Sequence, residues 1–339
     1  MNLETSQTDG MGVTADDVAA RAGVSRWTVA RAFKKDASIS SKTRMKVMEA
    51  AEALGYVPEL MASSLASDRS NLVALLVDDF DNPHKLVMLE RLTRLLRQAG
   101  YGTLLVNMLG AEDAPDALLV ASQRRVDAAV VIGTQFDEHI LRTALGARRV
   151  KKLIVFARAN RFENTVSICC DDIGAMKEIA AHVIARGYCR PLFLAGPDTE
   201  STRLMRKETF QRHWQDRTGG PLPPVIHVPH YNSTEAHAGL LAYLLTADPR
   251  PDVIVCENDI LAMGAIDAIR HGLALRVPQD IAVTGFDDIP LAAAPAYDLT
   301  TYHQPITAMV GALVQVLEAG GTATADVFLP GRFVARGST

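Results

Sequence analysis

Two kinds of hydrophobic spacing divide this chain. Between residues 14 and 55 the apolar positions recur every three or four residues: Val18 and Ala19, then Val29, Ala32 and Phe33, then Val47, Ala50, Ala51 and Leu54. That spacing predicts three short helices. Thr14 is placed to cap the first, with Asp16 and Asp17 in the turn where the helix dipole favours acids. Gly23 breaks the run and Ser25 stands ready to cap the second helix. The third begins after Ser40 and ends at Gly55 in a left-handed cap.

From Asn71 the pattern changes. Short unbroken apolar runs (NLVALLV, GTLLVN, DAAVVI, KLIVF, PLFLAG, PDVIVC, DIAVTGF) alternate with amphipathic stretches such as LERLTRLLRQAG and MKEIAAHVIARG. The runs read as strands buried on both faces and the stretches as helices ending in Gly, an α/β architecture with mostly parallel sheets. Its length is about twice that of one doubly wound unit, which implies two similar lobes. Between the two regimes, after Pro58, lies ELMASSLA followed by the polar SDRSN. Eight residues fall below the ~12–15 an isolated helix needs in water, so this segment is expected to be disordered without a partner. The expected domains are a helical head at 12–58, a hinge at 59–70 and a body at 71–339.

Charge sharpens this division. The 339 residues are 48% hydrophobic and 22% charged, the make-up of a folded soluble chain, with a net charge of −4. Residues 21–46 carry eight basic side chains against the single acid Asp36, a local +7 that leaves −11 elsewhere. Such segregation fits a small nucleic-acid-facing head on an acidic body. Cys169, Cys170, Cys189 and Cys256 form no C-x-x-C pair and are too few for a disulfide framework. The opening MNLETSQTDG lacks the features of a signal peptide, and no apolar stretch nears the ~18 residues of a membrane helix. By elimination the expectation is cytoplasmic.

Helix, Gly-containing turn, helix and supporting helix form the helix-turn-helix pattern, although a three-helix protein-interaction module shares that spacing. Arg26, Trp27, Thr28 and Arg31 favour the former, because they fall at the start and outer face of the second helix. An Arg there can bridge O6 and N7 of guanine. Thr28 can reach phosphate or base, and Trp27 can meet thymine methyls or serve only in packing.

In the body, doubly wound sheets bind ligands beyond the carboxyl ends of their strands. Arg206, Asn258 and Asp287 each follow such an end. Arg grips two oxygens, while Asn and Asp suit a vicinal diol. Singly, Arg206 could be a solvated helix charge, and Asn258 and Asp287 could be caps; together they favour a site. No G-x-S-x-G, H-E-x-x-H, Walker loop or Rossmann glycine fingerprint is present, and His227, His230 and His237 have no fixed metal geometry, so neither enzyme, cofactor nor metal is expected. A solute-binding transport protein would share the body but not the first seventy residues.

VTADDVAARAGVSRWTVARAF, followed by SSKTRMKVMEAAEALGYVPELMASSLA, resembles the DNA-binding head and hinge of the lactose-repressor (LacI/GalR) family of bacterial regulators. The resemblance runs through nearly the whole chain to LPGRFVARGST. It implies a helix-turn-helix head on a two-lobed periplasmic-binding-protein-like body. Arg26, Trp27 and Arg31 occupy the family's base-reading positions; Thr14, Ser25 and Thr28 fall among its backbone-contacting ones, and Lys34 stands where Asn is common. The hinge would fold on DNA beside its twofold mate, with Leu65 as the minor-groove wedge, Ala62 at the close approach and Met61 beside them.

The family places its main effector contacts at the positions of Arg206, Asn258 and Asp287. DDFDNPHK resembles its D-x-x-N-P-F-F loop, with His84 and Lys85 where two aromatics are common. Tyr231 matches a ring that stacks on the ligand, and Arg158 follows a strand at another contact position. The implied protein is a homodimeric repressor of a palindromic operator, with no membrane partner, governed by a sugar or sugar derivative. The alternative is a purine-like or anionic corepressor, and Arg158, Arg206 and Lys85 together would suit an acidic sugar or other anion. No heptad tail follows the last strand motif, so a dimer is expected rather than a tetramer.

Overall fold

A computed structural model of the protein describes residues 12–34, 37–58, 69–78, 80–108, 114–133, 150–160, 165–198, 202–319 and 325–339. The chain divides into two compact units, Met1–Ser70 and Asn71–Thr339. Met61, Ala62 and Leu65, and with them the expected hinge helix, lie outside the described residues.

The first unit contains helices α1 (Ala15–Ala22), α2 (Arg26–Ala32) and α3 (Ser41–Leu54). Their ends are set by local chemistry. Thr14 and Asp17 form a reciprocal capping box on α1, and Gly23 closes that helix at φ 61°. Ser25 and Ser40 accept from the amides of Thr28 and Thr43 to start α2 and α3, and Gly55 ends α3 at φ 68°. Val18, Ala22, Val29, Ala32, Val47 and Ala51 meet in one small core. Arg44 braces it: its guanidinium donates to the carbonyls of Ala32 at 2.7 Å, Lys34 at 3.0 Å and Ala37 at 3.2 Å. Those carbonyls lie at and beyond the C-terminal end of α2, where helix carbonyls lack intrahelical partners.

The body begins with β1 (Leu72–Val77), α4 (Pro83–Gln98), β2 (Gly102–Asn107), α5 (Ala114–Gln123), β3 (Ala128–Ile132), β4 (Leu153–Phe156), β5 (Ala159–Asn160) and β6 (Thr165–Cys170). It continues through α6 (Asp172–Ala185), β7 (Pro191–Ala195), β8 (Thr202–Arg203), α7 (Arg206–Thr218), β9 (Val225–His227), α8 (Ser233–Thr246), β10 (Val253–Cys256), α9 (Asp259–Asp267) and β11 (Ala282–Thr284). Then come β12 (Thr301–His303), α10 (Ile306–Glu318), β13 (Val327–Leu329) and β14 (Arg332–Val334).

Two all-parallel sheets result. One has the order β13-β6-β4-β3-β1-β2 and the other β11-β10-β7-β9. The first is covered on one face by α4 and α10 and on the other by α5. Val73, Leu75 and Val77 therefore face one core while Ala74 and Leu76 face another. Burial on both faces is why β1 reads as a continuous apolar run. The second sheet lies between α8 and α9 on one side and α6 and α7 on the other.

The chain leaves the first sheet after β6 and returns to it through α10 and β13. Two short antiparallel pairs, β5 with β8 and β12 with β14, accompany these passages. The run GTLLVN departs from its expected burial on both faces. It forms the edge strand β2, and Leu105 on it is 52% exposed.

Candidate functional site

On the first unit, α2 turns its opening outward. Capping by Ser25, whose hydroxyl also lies 2.9 Å from that of Thr28, fixes where the helix begins. Val29 and Ala32 occupy the buried side, so Arg26, Trp27 and Ala30 are left on the surface. Trp27 is 67% exposed, an unusual position for an indole with no packing role. The Arg31 guanidinium lies over it, 4.3 Å from the ring centroid, and donates to the Ser38 carbonyl. Arg26 makes an exposed 3.4 Å ion pair with Asp16. Thr14 is tied to Asp17 in the capping box, and Lys34 is exposed. Arg26, Trp27 and Arg31 thus share the outer side of one short helix.

In the body, the two strand orders explain where polar groups collect. In the second sheet, β7 and β10 are neighbours whose following helices pack on opposite faces, and a crevice opens beyond such strand ends. Gly196 follows β7, Glu257 and Asn258 follow β10, and Asp287 follows β11. Gly196 admits the Tyr231 ring, since a Cβ there would collide with it. The Gly196 amide donates to Glu257 Oε2 at 2.8 Å, and the Tyr231 hydroxyl donates to the same oxygen at 2.9 Å. Arg158, just beyond β4 of the first sheet, donates to that hydroxyl at 2.9 Å and lies 5.5 Å from its ring centroid.

Arg206 opens α7 but is not a solvated helix charge, being only 3% exposed. Its Nε donates to Asp172 Oδ1 at 3.0 Å and its Nη1 to the Glu257 carbonyl at 2.8 Å, with the guanidinium 3.5 Å from the Phe286 ring centroid. Asp287 Oδ1 lies 3.9 Å from Nη1. Burial opposes the Arg206 charge, but Asp172 and Asp287 outweigh it and hold the guanidinium above its ordinary pKa.

Asp287 adopts φ 119°, a conformation rare outside glycine, and it is not a helix cap. Its amide donates to the Tyr302 carbonyl at 2.9 Å, and its carboxylate accepts from Gln304 Nε2 at 2.7 Å. Asp259 braces the same loop by accepting from the Ile289 amide at 2.8 Å and the Thr301 hydroxyl at 2.6 Å. Burial and the nearby Asp287 charge push the Asp259 carboxyl well above its usual range. Asn258 does cap α9, accepting from the Leu261 amide at 3.0 Å.

From the first sheet, α4 brings His84 to this crevice. Asn82 caps α4 by accepting from the His84 amide, and Pro83 suits the first helical position. His84 Nε2 comes within 3.9 Å of Asp287 Oδ1. Lys85, next to it, is buried and paired with Asp78 at 2.6 Å. His84, Arg158, Arg206, Tyr231 and Asp287 are therefore linked through a few contacts, while the Asn258 side-chain oxygen is committed to its cap.

Asp172, Glu257, Phe286 and Gln304 carry no sequence signal that singles them out. Asp172 and Glu257 stand 34 and 51 residues from Arg206, and no local pattern marks such pairs. His227, His230 and His237 form no metal-binding group, and none exists among the described residues. Among those residues no helix is long and apolar enough to cross a membrane.

Comparison with known proteins gives the following. Residues 14–59 match the model for "Bacterial regulatory proteins, lacI family", and 180–339 that for "Periplasmic binding protein-like domain". The HTH-type transcriptional regulator MalR of Streptomyces coelicolor is 30% identical over 338 residues, spanning 95% of both chains. The HTH-type transcriptional repressor PurR of Proteus mirabilis is 28% identical over 293 residues, covering 86% of this chain and 85% of its own. Among solved structures, the Lac repressor dimer bound to operator and the anti-inducer ONPF superposes with a TM-score of 0.81 at 24% identity, covering 97% of this chain and 99% of that one. A complex of the regulator CelR with cellobiose gives 0.70 at 23% identity, over 96% and 100% of the two chains.

Proposed function

The chain belongs to the lacI family of bacterial regulatory proteins and is a DNA-binding transcriptional regulator, and from that premise we propose that it is a homodimeric repressor released or recruited by a small molecule. The observation that carries this reading is the outward side of α2. A helix of seven residues, capped and buttressed from behind, presents Arg26 and the indole of Trp27 to solvent, with the half-buried Arg31 laid over that ring. That is the arrangement in which a recognition helix meets base edges in the major groove. In this reading Arg26 and Arg31 offer forked donors to guanine and Trp27 an apolar surface to thymine methyls. Ser25, Thr28, Thr14 and Lys34 are assigned to backbone phosphates. The hinge at 59–70, with Met61, Ala62 and Leu65, is assigned to the minor groove between two half-sites.

The body is assigned to the effector. Arg206, Asn258 and Asp287 sit at strand ends of the second sheet, with Tyr231 and Arg158 beside them. A sugar or related polyol suits these groups, and the CelR complex contains cellobiose. Selection of duplexes from a random pool tests the DNA half of the proposal. The expected product is a twofold-symmetric sequence whose affinity falls steeply with salt. Enrichment of no sequence over the starting pool would overturn it.

A further inference from the structure

Trp27 and Arg31 lie one turn apart on α2 and are stacked on each other. The Arg31 guanidinium sits 4.3 Å from the indole centroid, and its Nη2 donates to the Ser38 carbonyl. Arg26, at the start of the same helix, turns instead to Asp16 at 3.4 Å. The indole is 67% exposed, so the stack is not the rim of a core. A cation over an indole is attracted by the ring quadrupole, and the contact holds in place a long side chain with many rotamers. Arg31 is thus aimed by two groups of its own domain, the Trp27 ring and the Ser38 carbonyl.

This arrangement ties two readings together. With one Nη2 hydrogen given to Ser38, the guanidinium keeps an edge of two parallel N–H groups that can bridge O6 and N7 of a guanine. Bridging both atoms lays the guanidinium in the plane of that base. Successive bases along a strand are about 3.4 Å apart. A ring held 4.3 Å from the guanidinium therefore stands level with the adjacent base pair. There the major-groove edge decides what an indole can cover. Thymine offers its C5 methyl, which packs on an apolar ring. Cytosine offers a bare C5 and the N4 amino group, a donor left unpaired when hydrocarbon covers it. 5-Methylcytosine supplies the missing methyl.

We propose that Trp27 and Arg31 act as one reader of two consecutive base pairs, Arg31 taking a guanine and Trp27 the 5-methyl group of a neighbouring pyrimidine, so that C5 methylation of a cytosine at that place tightens the grip of the head. The inference rests on the major-groove role of α2 proposed above and adds a positioning role to it: Trp27 aims Arg31 as well as touching the adjacent base. Because the stack fixes the spacing of the two contacts, the guanine and the methyl group are recognised as a step and not as two independent positions. Loss of the ring then relaxes both pairs, whereas loss of the guanidinium leaves the ring and relaxes the guanine alone.

The test uses the full-length protein and the symmetric duplex selected from a random pool. Arg31→Ala locates the guanine, as the pair at which preference relaxes, and a thymine is expected in a pair beside it. Exchanging that thymine for deoxyuridine removes only the methyl and should weaken binding about fourfold, equivalent to ~0.8 kcal/mol for one buried methyl. Cytosine in its place should bind more weakly still, and 5-methylcytosine should regain about fourfold over cytosine. In Trp27→Ala these differences should vanish and preference at the guanine should fall with them. A cooperative helix-melting transition in circular dichroism establishes that each variant is folded, and the base exchanges need no variant at all. Equal binding of thymine and deoxyuridine, and of cytosine and 5-methylcytosine, in both pairs beside the guanine overturns the inference. So does a methyl preference retained in Trp27→Ala, or relaxation there of one pair only. Selection that enriches no sequence overturns the DNA-binding proposal itself, whereas an enriched duplex indifferent to the methyl overturns only the joint reading by Trp27 and Arg31.

Discussion

Arg206 is a buried charge held by several partners in the body, and removing it has consequences that can be worked from them. Arg206→Met deletes a guanidinium that is buried, bonded to Asp172 at 3.0 Å and to the Glu257 carbonyl at 2.8 Å. The substitution leaves Asp172 and Asp287 buried with no compensating cation at that point. Breaking a buried pair from one side costs about 3–5 kcal/mol, because the surviving charge is stranded. Asp172→Leu alone strands the guanidinium less completely, since Asp287 Oδ1 remains 3.9 Å away, and about 1.5–3 kcal/mol is expected for the lost charged hydrogen bond. With both residues apolar, neither charge is stranded at that contact. The double variant should therefore be less destabilised than the two singles added together, by about 1–3 kcal/mol.

Urea unfolding followed by tryptophan fluorescence reads this directly. Trp214 is buried on the helix that Arg206 opens, whereas Trp27 belongs to the separate head unit. A loss below about 1 kcal/mol for Arg206→Met, or strict additivity in the double variant, would refute the pairing argument. The same magnitude means that loss of ligand response in an Arg206 variant is interpretable only after its stability has been measured.

Other outcomes follow from single groups. Burial holds the His84 pKa below its ordinary value of about 6.5, so the unfolded chain takes up this proton first on acidification. The stability associated with neutral His84 is present above that value and is lost as pH falls through it. Between about pH 7.5 and 5.5 the melting temperature should drop more in the unliganded wild type than in His84→Phe, and parallel curves would contradict this. Gly264→Ala would place a Cβ against the Ser233 carbonyl and the Ala236 methyl where α8 crosses α9, and it should cost about 1–3 kcal/mol or more in urea unfolding; a neutral effect would show that the two helices can part. Arg31→Ala should weaken the selected duplex by about 1–3 kcal/mol and relax preference at one base pair, whereas an equal loss on all sequences would identify a phosphate contact. Trp27→Phe should retain more of that preference than Trp27→Ala, since a ring remains beneath the Arg31 guanidinium.

The head is legible residue by residue because its boundaries are decided locally. Thr14, Ser25 and Ser40 each cap the amide three positions ahead, and Gly23 and Gly55 take left-handed angles that side chains resist. Strands β1, β3, β4, β7 and β10 are legible because burial on two faces leaves no polar position. The same rule fails for β2, where an edge position exposes a run as apolar as its neighbours. β6 escapes it because Thr165 and Ser167 interrupt its sequence, although the whole strand is buried. In the crevice, Arg206 and Asp287 can be singled out from strand ends, but their partners cannot. Asp172 begins a helix packed beside α7, Gln304 follows β12, and Glu257 comes into play partly through its backbone carbonyl, which carries no side-chain signature. Arg44 in the head is similar: as a charge it resembles its neighbours, and only the folded arrangement shows it gathering three carbonyls.

In the proposed function, what occupies the body crevice sets how firmly the head holds DNA. The direct test is to titrate the selected symmetric duplex with and without a saturating concentration of a sugar that calorimetry shows to bind the protein. Duplex affinity is expected to change roughly 5–150-fold, with the reciprocal change in ligand affinity on the DNA-bound protein. Identical duplex affinities in the two titrations would contradict it.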